Sequence, residues 1–226
     1  VLTGSLNTMS RDEAKNKLQT MKISIIDLEV SNLYSITNAV KYLDYNYVVS
    51  SSKNEIENSD CIILPGVGSF PYAISQLKKK NIYQTLIKNV KNGKPIIGIC
   101  LGFQLLFSSG QEFKNTNGLN LIKGSVKLLP KKNNLPIPHV GWNNLIKSNK
   151  KSISFSNNKD NFYFVHSYYA EPDDKKVCLS YTKYGNFKFC SSILSENIFG
   201  FQFHPEKSGR AGLNLLSNTL KNAKKI

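Results

Sequence analysis

Four short apolar runs, separated by turns and by segments of helical spacing, restrict this chain to a sheet covered on both faces. Ile23–Ile26 is a β-branched run ending at Asp27 that reads as a buried strand, and Tyr47–Val49, Cys61–Leu64 and Pro95–Ile99 read as further strands. Between Asn32 and Leu43 the residues Leu33, Ile36, Ala39, Val40 and Leu43 recur at helical intervals. Similar patterning covers Pro71–Lys80 and Ile82–Lys91, and another helix is expected over Leu101–Ser108. Strand and helix alternating through short links predict parallel pairing in an open, mostly parallel α/β sheet of flavodoxin-like layout, with helices on both faces. Beyond Gly110 the pattern changes to short strands: Ser125–Leu129, Asn143–Lys147, Phe162–Val165, Val177–Tyr181, Phe189–Leu194 and Phe199–Phe203. Turn residues at Asn157-Asn158, Asp173-Asp174 and Gly185-Asn186 separate some of them. This half is expected to extend the central sheet and add antiparallel strands, before a last helix from Gly209 to Ala223.

Composition narrows the class. Hydrophobic residues make up 40% and aromatic residues 11%, as in a folded domain. The formal charge of +15 comes mostly from lysines scattered among Asn and Ser through the whole chain. No basic stripe with interleaved aromatics is present, so the charge reads as general solvation and not as a nucleic-acid footprint. No run approaches the ~20 apolar residues of a membrane span. The four cysteines, Cys61, Cys100, Cys178 and Cys190, form no C-x-x-C pair and suggest reduced thiols in a cytoplasmic protein. Residues 1–20 are polar and precede a Met21-Lys22 that reads like a natural start. They are expected to be an extension or expression remnant, with a short helix at Ser10–Leu18 capped by Ser10 and Glu13. Residues 21–226 then form one domain.

The segment Pro95-Ile-Ile-Gly-Ile-Cys100-Leu-Gly-Phe-Gln104 carries the strongest chemical signal. An apolar strand enters Gly98-x-Cys100-x-Gly102 and a helix follows at once, the layout of a nucleophile elbow with Cys in place of Ser. Glycines on both sides permit a turn where side chains would collide. The sulfur then projects over the carboxyl end of the sheet, where α/β sites form. The helix N-terminus favours thiolate, and the N–H of Leu101 points to where an oxyanion would develop. A buried structural cysteine would fit this segment alone equally well. Cys61, Cys178 and Cys190 lack flanking glycines and read as inert.

Of the three histidines, His204 stands at the end of a β-run in Gly200-Phe-Gln-Phe-His204-Pro-Glu206. In extended chain, residues i and i+2 share a side, so Glu206 is expected to reach one ring nitrogen while the other faces a thiol. Pro205 biases His204 to extended backbone. His139, His166, His204 and Cys100 show no metal-ligand spacing, so neither metal nor cofactor is expected.

Gly98-Ile-Cys-Leu-Gly102 with Gln104, and His204-Pro-Glu206, resemble the signature pair of the class I, triad-type glutamine amidotransferases. Leu64-Pro-Gly-Val-Gly-Ser-Phe70, Pro138-His-Val-Gly-Trp-Asn143, Tyr163-Phe-Val-His-Ser-Tyr168 and Phe201–Ser208 are similar, within that family, to the glutaminase subunits of imidazole glycerol phosphate synthases. The resemblance runs from about Met21 to the C-terminus. It implies that Cys100 attacks the side-chain amide of glutamine to give a thioester and ammonia. His204 would carry the proton and Glu206 would orient it. Val67 or Gly68 would supply the oxyanion donor beside Leu101, in a loop whose glycines permit a peptide flip. Gln104 and the backbone of His166, Ser167 and Tyr168 would hold the glutamine. Ammonia would pass to a (β/α)8-barrel synthase subunit, in a heterodimer, with Trp142, Asn143, Tyr163 and Lys207 facing that partner.

Without the resemblance, Trp142 and Tyr163 read as ordinary core or strand residues, His166 as a satisfied core histidine and Lys207 as a solvated lysine. One stretch departs from the family pattern. Where an Asp-Tyr-Gly-x-Gly-Asn turn is usual, this chain has Asp27-Leu-Glu-Val-Ser-Asn32, with Glu29 and Ser31 at the glycine positions. The turn must therefore change conformation or hold a strained one. Other readings are the same chemistry feeding a surface-sugar amidotransferase, a cysteine hydrolase working alone, a catalytically silent scaffold, and a nucleic-acid binder resting on charge alone.

Overall fold

The protein, a computed structural model, is described at residues 21–29, 33–131, 135–148 and 160–226. The extension at 1–20 with its expected helix, Ser31 and Asn32 of the altered turn, and the Asn157-Asn158 turn lie outside these residues.

The first half alternates as expected: β1 (Lys22–Ile26), α1 (Leu33–Tyr42), β2 (Asn46–Ser50), α2 (Lys53–Glu57), β3 (Cys61–Leu64), α3 (Phe70–Lys79), α4 (Tyr83–Lys91), β4 (Ile96–Ile99) and α5 (Leu101–Leu105). Then follow β5 (Phe107–Gly110), β6 (Thr116–Asn117), β7 (Ile122–Leu128), β8 (His139–Asn144), β9 (Ile146–Lys147), β10 (Asn161–His166) and β11 (Tyr168–Pro172). The chain closes with β12 (Cys178–Tyr184), β13 (Phe187–Ser195), β14 (Ile198–Phe201) and α6 (Gly209–Ala223).

The central sheet has eight strands in the order β2-β1-β3-β4-β14-β13-β12-β9. The β2-to-β14 part is parallel, and β13, β12 and β9 add on antiparallel. The period-two alternation of the strands divides the core. Ile23, Ile25, Ile63, Ile97 and Ile99 face one side, against Ile36, Ala39 and Val40 of α1 and Leu215, Leu216 and Leu220 of α6. Ile26, Ile62, Leu64 and Ile96 face the other, against α3 and α4 through Ile74, Leu77, Leu86 and Val90. Strands apolar on both faces need helices on both, which is why β1, β3 and β4 of the parallel part lie between these two helical layers.

Several boundaries differ from expectation. The helix expected over Leu101–Ser108 ends at Leu105, and Phe107–Gly110 becomes β5. The edge contact of Phe103 on Phe107 (ring centroids 5.3 Å) and pairing of β5 with β7 and β6 take over there, so tertiary partners outweigh the local helical spacing. The strand expected at Asn143–Lys147 is divided. β8 pairs with β10 and β9 pairs with β12, so the chain passes from one sheet to another at Leu145. Val177 belongs to a 3-10 turn, Lys175–Val177, and β12 begins at Cys178. The short elements α2, β6 and β11 have no periodic signature long enough to find.

Glu29 resolves part of the unusual turn. It takes φ +60°, the left-handed conformation that glycine would supply, and is tied by its N–H to Asp27 Oδ1 (2.8 Å) and by its carboxylate to Lys80 Nζ (2.7 Å). The backbone conformation is thus left-handed and strained at this residue, with Lys80 drawing the Glu29 carboxyl below its usual range. Glu29→Gly is expected to raise the melting temperature by about 2 °C, since relief of left-handed strain exceeds the loss of one exposed ion pair. Thermal denaturation checks this; a lower melting temperature would show that the Lys80 ion pair outweighs the strain.

Candidate active site

Cys100 sits between β4 and α5 with φ +54° and ψ −110°, a strained backbone conformation for a residue with a side chain. Its N–H donates to the Phe201 carbonyl (2.7 Å), which anchors the elbow to β14. The neighbouring glycines are dictated by space. A Cβ at Gly98 would lie 2.7 Å from Phe103 Cα, and one at Gly102 would lie 1.7 Å from the Leu64 carbonyl oxygen. Gly102→Ala is therefore expected to force α5 away from β3 and cost more than ~3 kcal/mol, because backbone and not a flexible side chain is in the way. Urea denaturation of the variant beside the parent measures it, and a loss under ~1 kcal/mol would mean that the elbow relaxes freely.

His204 reaches the sulfur from the end of β14. Its N–H donates to the Tyr163 carbonyl (2.9 Å), and Ser208 staples the same point. Ser208 Oγ donates to the His204 carbonyl (2.6 Å) and accepts the Tyr163 N–H (3.0 Å). His204 itself is extended, as Pro205 dictates, but Glu206 does not approach along an extended strand as expected. Pro205–Lys207 forms a 3-10 turn, and Glu206 folds back to bring Oε1 within 2.7 Å of His204 Nδ1. Proline at the first position of that turn needs no N–H there, so the same residue that extends His204 also starts the turn.

Burial alone would lower the pKa of His204. The charge on Cys100 and the Glu206 carboxylate outweigh it and push the value up to about 10. Nδ1 is held by Glu206, while Nε2 is buried without a hydrogen-bond partner. The cysteine, the imidazole and its carboxylate are thereby in series, an arrangement suited to nucleophilic acyl transfer.

The sulfur opens on a cavity of about 260 Å³ lined by Val67, Gly68, Leu101, Gln104, Glu112, Pro138, Val165, His166, Ser167 and Tyr168. All the residues expected to bind substrate line it. Gln104 Nε2 donates to the Tyr168 carbonyl (2.8 Å). His166 Nδ1 lies 2.8 Å from the same carbonyl, which can only accept, so Nδ1 carries the proton. His166 Nε2 is then the acceptor for His139 Nδ1 at 3.2 Å. Burial lowers the pKa of His139 to about 4 and that of His166 to about 3, so both are neutral near pH 7. His166 is thus partly a satisfied core histidine and partly cavity wall.

The oxyanion arrangement is not open as expected. The Leu101 N–H donates to the Gly66 carbonyl (3.3 Å), so the donor is occupied by the loop that also carries Val67 and Gly68. Gly68 has φ +98°, and Val67 is 36% exposed at the cavity edge. Turning the Gly66–Val67 peptide would release Leu101 and present an N–H in place of the carbonyl.

Of the residues expected at a partner face, Trp142 is 57% exposed and stands edge-on to Tyr163 (5.8 Å), whose ring lies 6.4 Å from that of His204. Lys207 borders a small space shared with Gly66, Val67, His204 and Glu206. Asn143, the next residue on β8, is turned away from this group: its amide donates to the Lys183 carbonyl (2.9 Å). Glu112 was not anticipated. Its Oε2 accepts the Phe70 N–H at the start of α3 (2.7 Å), and its carboxylate borders the cavity. The signal for it was a lone acid after eleven uncharged residues, Leu101–Gln111. Among the described residues no group of three or more His, Cys, Asp and Glu is placed to hold a metal, and no helix is long and apolar enough to cross a membrane.

The family described as glutamine amidotransferase class-I matches residues 24–223. A protein of Caldanaerobacter subterraneus subsp. tengcongensis named imidazole glycerol phosphate synthase subunit HisH is 45% identical over 197 residues, covering 87% of this chain and 96% of its own. The protein of the same name from Lactococcus lactis is 45% identical over 198 residues, covering 86% and 96%. Among solved structures, PurLQS from Thermotoga maritima superimposes with a TM-score of 0.67 at 20% identity, covering 89% of this chain and 98% of that one. A crystal structure described as glutamine amidotransferase gives 0.66 at 16% identity, covering 88% and 98%. At these identities the structures establish the fold.

Proposed function

The chain belongs to the class-I glutamine amidotransferase family, and from that premise we propose that it is the glutaminase subunit of an imidazole glycerol phosphate synthase in histidine biosynthesis. Relatives of that name at 45% identity over nearly their whole length support the pathway. The observation that carries the chemistry is His204, held through Nδ1 by Glu206 Oε1 (2.7 Å) with its buried Nε2 left without a hydrogen-bond partner, next to the cavity on which the Cys100 sulfur opens.

Cys100 sulfur attacks the carboxamide carbon of glutamine. His204 Nε2 gives its proton to the amide nitrogen, ammonia leaves, and a glutamyl thioester remains. His204 then takes a proton from water, whose oxygen attacks the thioester carbon; the glutamate leaves, its new carboxyl proton passing to solvent, and the Cys100 thiolate is restored beside protonated His204. Glu206 holds the imidazole through Nδ1 and supports its charge. Leu101 and the turned Gly66–Val67 loop stabilise the oxyanion. Gln104 and the backbone of His166, Ser167 and Tyr168 hold the glutamine, and Glu112 faces its ammonium group. Ammonia passes to a (β/α)8-barrel subunit docked over Trp142, Tyr163 and Lys207, in the cytoplasm. Asn143 supports that face from behind, through Lys183.

Mixing the chain with a purified barrel subunit, glutamine and the barrel's own substrate tests this. Glutamate release and imidazole glycerol phosphate formation should rise together. Glutamate release that ignores the barrel would keep the chemistry and sink the pathway.

A further inference from the structure

One buried polar side chain beside the sulfur has no role in the mechanism above. Gln202, two residues before His204, is fully buried (0% exposed). Its carboxamide has two polar neighbours: Oε1 lies 3.1 Å from Gln104 Nε2, and Nε2 lies 4.0 Å from Cys100 Sγ. The direction of these contacts is forced. The Tyr168 carbonyl can only accept, so Gln104 must turn its NH₂ toward it. The same NH₂ gives its second proton to Gln202, which must then present Oε1 to Gln104 and its own NH₂ to the sulfur. The flipped amide would set NH₂ against NH₂ and turn a second carbonyl oxygen on the sulfur, which already lies 3.7 Å from the Val165 carbonyl oxygen. Phe201 and Phe203 on either side are both fully buried, so a carboxamide here is costly unless both ends are used.

We propose that Gln202 is a positioning residue of the glutaminase centre: its carbonyl fixes Gln104 toward the ligand cavity, and its amide N–H supports the Cys100 sulfur when that sulfur carries charge in the reaction. It touches no substrate and acts through these two neighbours. The inference rests on the glutaminase reading. The titratable groups around the sulfur are His204, Glu206 behind it, and His166, Tyr168 and Glu112 on the cavity wall, and a change at Gln202 leaves all five in place.

The test uses Gln202→Met, matched in length, with Gln202→Leu as a second apolar replacement. Iodoacetamide alkylation of Cys100 is followed across pH by the mass of its peptide, which separates it from the three other cysteines. Loss of one donor to a charged sulfur should raise the alkylation midpoint by about one pH unit and slow the reaction about tenfold below it. In complex with the barrel, kcat should fall by a similar factor and KM for glutamine should rise as Gln104 loosens. A merely structural role would lower the melting temperature and leave the alkylation profile alone. A parental profile in either variant that still binds the barrel overturns the proposal. Alkylation needs neither glutamine nor partner, so this outcome is distinct from a parent complex that fails to hydrolyse glutamine, which would sink the glutaminase reading itself.

Discussion

Cys100→Ala is expected to cut glutamate release by the complex on the order of 10⁴-fold or more, while synthesis driven by added ammonium salt continues. The sulfur is the sole proposed nucleophile on the cavity, and no other cysteine is near: Cys61, Cys178 and Cys190 are buried in the core as free thiols. Alanine keeps the +54° backbone of the elbow and the Cys100 N–H bond to Phe201, so the variant should fold and dock. His204 loses the charge that, with Glu206, holds its pKa near 10, and its value should drop, since burial then faces one carboxylate only. Glutamate from glutamine and product from ammonium are measured in parallel. Residual glutaminase within about tenfold of the parent would mean that another group attacks the amide. Loss of the ammonium-driven reaction would mean that the substitution damaged docking and not chemistry.

The isolated chain is expected to hydrolyse glutamine about 10²- to 10³-fold more slowly than the same chain in complex, the factor associated with one missing oxyanion donor. The reason is local. Leu101 N–H is committed to the Gly66 carbonyl, and a carbonyl directed into this space would repel the developing oxyanion. Gly66 borders the same small space as Lys207, Glu206 and Val67, and the exposed Trp142 and half-buried Tyr163 lie close to His204 on its wall. A partner seated on that face can therefore bias the loop toward the turned state by contacting it only there. Glutamate release from saturating glutamine, with and without the barrel, is the measurement. If the difference lies in KM with kcat unchanged, the barrel acts on substrate binding and the Leu101–Gly66 bond is not the brake.

The linear pattern makes the parallel half of the sheet legible because its strands, apart from the edge strand β2, are buried on both faces. Cys61–Leu64 can be bounded to the residue for this reason, with Pro65-Gly66 ending it. The elbow is legible because the collision that requires Gly98 and Gly102 is between segments close in sequence, apart from Leu64. Gly-x-Cys-x-Gly and His-x-Glu are equally open to reading, as roles at two-residue spacing. Phe107 and Ser108 read as helix in the linear pattern because the pairing of their segment with β6 and β7 leaves no trace in the local spacing.

By itself the sequence determined the α/β class, the residues of the proposed triad and the departure at Glu29, since each depends on side-chain type and near-neighbour spacing. Tertiary structure alone decided that Leu101 is blocked by Gly66, that Glu206 arrives by a 3-10 turn, and that Gln202 points an amide at the sulfur. It also turned Asn143 away from Trp142 and brought Glu112 to the cavity. Each of these depends on the direction of a donor or acceptor across a gap between distant segments. Such directions follow from how the segments pack, and spacing along the chain does not encode them.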